Sequence, residues 1–89
     1  MILQFRPNSR PFGLTRRELE VLDLAAEGLG NKQIAAALVV QEQTVKNHLS
    51  SAMRKLGAQS RVGAVLCAHA ARVIDLDECW RRAAERGAA

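Results

Sequence analysis

The sequence predicts an all-α fold, a bundle of four helices followed by a fifth at the C-terminus. Apolar residues make up 48% of the 89-residue chain but aromatic residues only 3%. The core must therefore be built mainly from Leu, Val and Ala, which favours helices over a sheet. From Leu14 onward the apolar positions recur at spacings of three and four. Capping and breaking residues, among them Thr15, Gly28, Gly57 and Ser60, punctuate those stretches.

Residues 1–13 contain Pro7, Pro11 and Gly13 and show no period, so they read as an irregular arm or linker. Arg6 and Arg10 read first as solvated and second as phosphate contacts. The first helix opens with Thr15 and Glu18 in a T-x-x-E capping box, flanked by Leu14 and Leu19 as a hydrophobic staple. Leu19, Leu22, Ala26 and Leu29 form its buried stripe, and Glu20, Asp23 and Glu27 face water. Gly28 and Gly30 end it by adopting positive φ.

Asn31 caps a short second helix, NKQIAAAL, with Ile34, Ala35 and Leu38 facing inward. Its alanines allow a close helix crossing. After a turn at Val39–Gln41 comes a third helix, about residues 42–56. Val45, Leu49, Ala52, Met53 and Leu56 form one stripe of it, and Gln43, Lys46, Asn47, Ser50 and Arg54 point the other way. A short helix, a brief turn and a longer helix with a polar outer face describe a helix-turn-helix unit, about residues 31–50.

Gly57 closes the third helix and Ser60 caps a fourth. Ala64, Val65, Ala68 and Ala71 give the fourth helix a core face, while Val62, Leu66, His69 and Val73 give it a second stripe that needs another partner. Residues 75–89 form a fifth helix, started by Asp75 and Glu78, with Leu76, Cys79, Trp80, Ala83 and Ala84 on one stripe. Trp80 reads as its anchor, and Arg81, Arg82 and Arg86 as a solvated face.

Net charge is +4, unevenly spread. Between Thr15 and Glu27 four acids (Glu18, Glu20, Asp23, Glu27) accompany two bases (Arg16, Arg17). Between Asn31 and Arg72 six bases (Lys32, Lys46, Arg54, Lys55, Arg61, Arg72) accompany a single acid, Glu42. A positive end suits a polyanionic partner. The outer face of the third helix carries donors and no carboxylate, which fits the major groove of DNA, where purine N7 and O6 and the phosphates accept hydrogen bonds.

Other classes fit poorly. No apolar run reaches membrane-spanning length, and MILQFRPNSRPFG lacks the long apolar segment of a secretory signal, so a cytoplasmic protein with no membrane partner is expected. Cys67 and Cys79 do not amount to a disulfide framework. With His69 they match no closed zinc spacing, so neither metal nor cofactor is expected. His48, at the edge of the third helix's stripe, reads as a half-buried packing residue rather than a DNA contact. No nucleophile set, phosphate loop or carboxylate pair marks an enzyme.

LTRRELEVL, AEGLGNKQIAAAL, QTVKNHLSSAMRKLG and the SR..AV of Ser60, Arg61, Ala64 and Val65 occur in order between Leu14 and Ile74. On these residues the chain resembles the LuxR/FixJ/GerE-type helix-turn-helix domain of bacterial transcription regulators. The resemblance implies a DNA-binding domain over residues 14–74 with the third helix in the major groove. It implies base-edge or groove contacts from Lys46, Asn47 and Ser50, phosphate contacts from Lys32 and Thr44, and a homodimer through the fourth helix, hence through Val62, Leu66, His69 and Val73. Gln43 and Arg54 complete the DNA-facing set.

Two departures carry expectations. Gln41 stands where the family carries Ser or Thr, so the third helix starts without a firm cap. Gly63 stands where the family carries Glu, which weakens the start of the fourth helix by roughly 1 kcal/mol. The alternative reading is a sigma-factor region-four-like domain, which shares the L-T-x-R-E start and the T-V-K helix and contacts RNA polymerase as well as promoter DNA. The KLGAQSR..AV segment favours the first. A stand-alone regulator and the output half of a longer protein are both compatible with the sequence, and the 75–89 extension lies past the usual end of the domain.

Overall fold

The computed structural model describes residues 11–87, so Arg6 and Arg10 of the N-terminal arm and the last two alanines lie outside the described residues. A 3₁₀ turn at Pro11–Gly13 leads into five helices: α1 (Arg16–Ala26), α2 (Asn31–Leu38), α3 (Glu42–Leu56), α4 (Arg61–Ala70) and α5 (Leu76–Gly87). α1 is the central element and packs against each of the other four helices. This explains why its buried set, Val21, Leu22, Ala25 and Ala26, is wider than the single stripe expected.

The start of α1 is fixed by its own sequence. The Thr15 Oγ1 accepts from the Glu18 amide at 3.1 Å, and the Thr15 amide donates to Glu18 Oε1 at 2.9 Å. Leu14 is buried and Leu19 half-buried beside this cap, as a staple requires.

The four helices α1 to α4 end alike. In each, a residue with positive φ follows the last turn, at Gly28, Val39, Gly57 and Arg72. The next residue's amide reaches back five positions: Leu29 to the Leu24 carbonyl, Val40 to Ala35, Ala58 to Met53 and Val73 to Ala68. These are Schellman closures, and the apolar residue after each turn packs on the core, as the motif favours. Val73 therefore belongs to this turn rather than to the outer stripe of α4, which ends at Ala70.

The caps of α2 and α5 differ from expectation. Gly30 (φ −80°), not Asn31, precedes α2, and the Gln33 side chain accepts from the Gly30 amide at 2.8 Å. Asn31 is instead engaged by Arg61, whose Nη1 donates to Asn31 Oδ1 at 2.7 Å and whose Nη2 donates to the Leu29 carbonyl. Asp75 does cap α5, accepting from the Glu78 amide at 3.2 Å. The Glu78 carboxylate turns to Arg81.

α5 lies on α1, not on α4. Of its expected stripe Cys79 is the fully buried anchor, while Trp80, expected to be that anchor, remains 60% exposed. Nor is the basic face of α5 merely solvated. Arg82 bonds Asp23 Oδ2 at 2.9 Å and lies 3.3 Å from Glu27, and Arg86 bonds Glu27 at 2.5 Å. Glu27, expected in water, is buried beneath these two guanidinium groups.

Candidate nucleic-acid interface

α3 separates its two jobs by face. Val45, Leu49 and Ala52 are buried, and Gln43, Lys46, Asn47, Ser50 and Arg54 are all exposed on the other side. Thr44 is half-buried at the helix start, and His48 is half-buried at the edge of the packing stripe. Gln43 Nε2 donates to Asn47 Oδ1 at 3.0 Å, so these amides, one turn apart, hold each other across the outer face. The Gln41 side chain makes no cap, leaving the first amides of α3 without a side-chain acceptor.

The bases divide in a way the charge pattern did not reveal. Lys55 Nζ donates to Glu18 Oε1 at 2.8 Å and to the Gly13 carbonyl at 3.0 Å, tying the end of α3 to the start of α1. Arg61 is held by Asn31 and Leu29. Lys32, Lys46 and Arg54, by contrast, are exposed and form no ion pair or side-chain hydrogen bond among the described residues. Lys32 sits in the first turn of α2, which packs directly on α3.

On α4, Val62 is 67% and Leu66 53% exposed, so two members of the expected stripe face outward. His69 is exposed, but its Nδ1 accepts from the Leu76 amide at 3.2 Å and so marks the junction with α5. Val73 is half-buried in the closing turn, for the reason given above.

The remaining candidates do not converge on a reactive centre. Cys67 is exposed on α4, whereas the Cys79 thiol donates to Asp23 Oδ1 at 3.1 Å. Burial and then the Asp23 carboxylate push that thiol up to about 11, so it stays protonated. Among the described residues no three His, Cys, Asp or Glu side chains are grouped to hold a metal ion, and no helix is long and apolar enough to cross a membrane.

A helix-turn-helix unit whose longer helix turns only polar side chains outward defines a nucleic-acid-binding class of domain. The chain belongs to the luxR family of bacterial regulatory proteins, whose family model matches residues 13–68, and it is a transcription-regulator DNA-binding domain of that family. It is 51% identical over 63 residues to the nitrate/nitrite response regulator protein NarP of Escherichia coli (strain K12), covering 70% of this chain and 29% of NarP. It is 47% identical over 58 residues to the spore germination protein GerE of Bacillus subtilis (strain 168), covering 65% of this chain and 77% of GerE. The crystal structure of the response regulator ChrA, from a heme-sensing two-component system, superposes with a TM-score of 0.68 at 39% identity, over 75% of this chain and 33% of that one. The chain thus spans a third or less of NarP and ChrA, and α5 lies beyond the family match.

Proposed function

We propose that this domain binds specific double-stranded DNA sites with α3 in the major groove, and that two copies occupy paired half-sites. The observation that carries this reading is the outer face of α3, where Gln43, Lys46, Asn47, Ser50 and Arg54 are exposed and none is an acid. Lys46, Asn47 and Ser50 read base edges, with Gln43 orienting Asn47 through their shared hydrogen bond. Lys32 and Thr44 hold phosphates on either side of the turn, and Arg54 reaches the backbone farther along α3. The single acid of α3, Glu42, sits in its first turn at the edge of this face.

The second copy is supported by Val62 and Leu66, apolar side chains that α4 leaves in water. A two-fold arrangement sets such a patch against itself and doubles the phosphate contacts on a palindromic site. The test is selection of binding sites from random duplex DNA. Enrichment of two inverted half-sites at helical-turn spacing is the expected result, and failure to enrich any sequence would overturn the reading.

A further inference from the structure

Gln43 and Asn47 stand one turn apart on the exposed face of α3, and Gln43 Nε2 donates to Asn47 Oδ1 at 3.0 Å. A carboxamide carries one acceptor oxygen and two N–H donors. Bonded to a residue one turn nearer the N-terminus, the Asn47 oxygen has its negative end toward the positive end of the α3 dipole, where Gln41 supplies no capping side chain. A glutamine followed four residues later by an asparagine is also a favourable pair on an exposed helix. The bond therefore commits the Asn47 oxygen to a partner within α3 and leaves its two N–H donors for whatever approaches that face.

A committed oxygen changes which base the side chain suits. An unconstrained asparagine matches adenine, accepting from N6 while donating to N7. Asn47 keeps only the donor half of that pattern. In the major groove guanine shows two acceptors, N7 and O6, whereas adenine and cytosine each present an amino group that needs an acceptor. Lys46 beside it can only donate, so it does not restore the missing acceptor. We propose that Gln43 sets the base preference at the Asn47 position without touching that base: by engaging Oδ1 it makes Asn47 a donor-only reader and directs it to guanine rather than adenine. The proposal rests on the reading above, with α3 in the major groove, and names the chemistry that this face selects. Gln43 is here a positioning residue, acting on the base only through Asn47.

The experiment selects binding sites from random duplex DNA with the 89-residue chain, with Asn47→Ala and with Gln43→Met, which keeps the side-chain length and removes the donor. The position whose preference Asn47→Ala erases is the one that Asn47 reads. A G·C pair is expected there in the parent, favoured over A·T roughly tenfold, and in Gln43→Met that ratio should fall to about one or below. A direct base contact by Gln43 would instead move a different position. Replacing the selected guanine with 7-deazaguanine, which lacks the N7 acceptor, should weaken the parent severalfold and leave Asn47→Ala unaffected. Unchanged circular dichroism verifies that both variants, altered only at exposed sites, are folded. A position that responds to Asn47→Ala but carries A·T in the parent, stays G·C in Gln43→Met or tolerates 7-deazaguanine overturns the proposal and leaves α3 as the reading element. If Asn47→Ala changes no position, or the parent enriches no sequence, the reading of the groove by Asn47 falls together with the proposal.

Discussion

The ammonium of Lys55 lies 2.8 Å from Glu18 Oε1, the oxygen that also accepts from the Thr15 amide. One carboxylate thus closes the cap of α1 and pins the C-terminal end of α3 against it. Burial alone would raise the Glu18 pKa, but hydrogen bonds from Lys55, Ser51 and the Thr15 amide outweigh it, leaving the group at about 2 rather than 4.5.

That depression fixes the direction of a pH effect. Stability from Glu18 is fully present above about pH 4.5 and is lost as pH falls toward 2, where the folded carboxylate takes up its proton. Glu18→Gln should cost on the order of 2–3 kcal/mol at neutral pH and flatten the acid limb of the stability profile. Urea unfolding between pH 7 and 2 measures both, and an unchanged acid limb in the variant would refute the assignment.

Val39 occupies the left-handed region at φ 57° and is 88% exposed. A β-branched side chain there strains the backbone by roughly 1–2 kcal/mol, while almost none of its apolar surface is recovered in the core. Val39→Asn should therefore stabilise the domain by about 1 kcal/mol and raise Tm by about 4–8 °C. A calorimetric Tm at or below that of the parent would show that the valine contributes something its exposure hides.

The two thiols should differ sharply in reactivity. Cys67 is exposed, whereas Cys79 is buried and held protonated beside Asp23. Iodoacetamide should label Cys67 alone in the folded chain, as read by mass spectrometry. Arg82→Ala removes the contact to Asp23 and one of the two arginines over Glu27, so it should loosen α5 and expose Cys79 to label. Slow labelling of Cys79 in that variant would mean that apolar packing and the remaining Arg86–Glu27 bond suffice to hold α5.

Neighbouring residues of the DNA-facing set should separate by salt dependence. If Lys32 holds a phosphate, Lys32→Ala weakens binding to all sequences alike and lowers the slope of log affinity against log salt by about 0.9. Asn47→Ala should leave the slope nearly unchanged, relax one position of each half-site, and cost about 1–3 kcal/mol on the selected site. Lys46→Ala decides between the two roles for a side chain long enough for either. Parental binding by both Lys46→Ala and Asn47→Ala would remove α3 as the reading element.

Local signals were legible in the sequence, and nonlocal ones were not. Thr15, Gly28, Gly57 and Ser60 announce helix ends because each acts on backbone within a few residues. Val39 and Arg72 adopt the same closing conformation without a glycine to signal it, so the end of α4 and the place of Val73 were misjudged. Asn31 carries a capping side chain, yet Arg61, thirty residues later, engages its carboxamide. Glu27 looks solvated by periodicity and is drawn inward by Arg82 and Arg86 of α5, while Lys55, counted with the positive end, is spent on Glu18 of α1. On α5 the stripe included both Cys79 and Trp80, and spacing could not say which would be buried. On α3, where apolar and polar positions fall cleanly on opposite faces, the expected division of buried and exposed residues matches the observed one.

That division on α3 also makes the domain a scaffold whose outer chemistry can be rewritten without disturbing its core. Val45, Leu49 and Ala52 anchor the helix, and none of Gln43, Lys46, Asn47, Ser50 or Arg54 contributes a buried side chain to the fold. Libraries varied at those five sites would therefore sample new outward chemistries at little thermodynamic risk, since surface substitutions usually change stability by no more than about 0.5 kcal/mol. If α3 is the reading element, the same independence lets a duplicated copy of the domain diverge toward a different operator by small, individually tolerated steps.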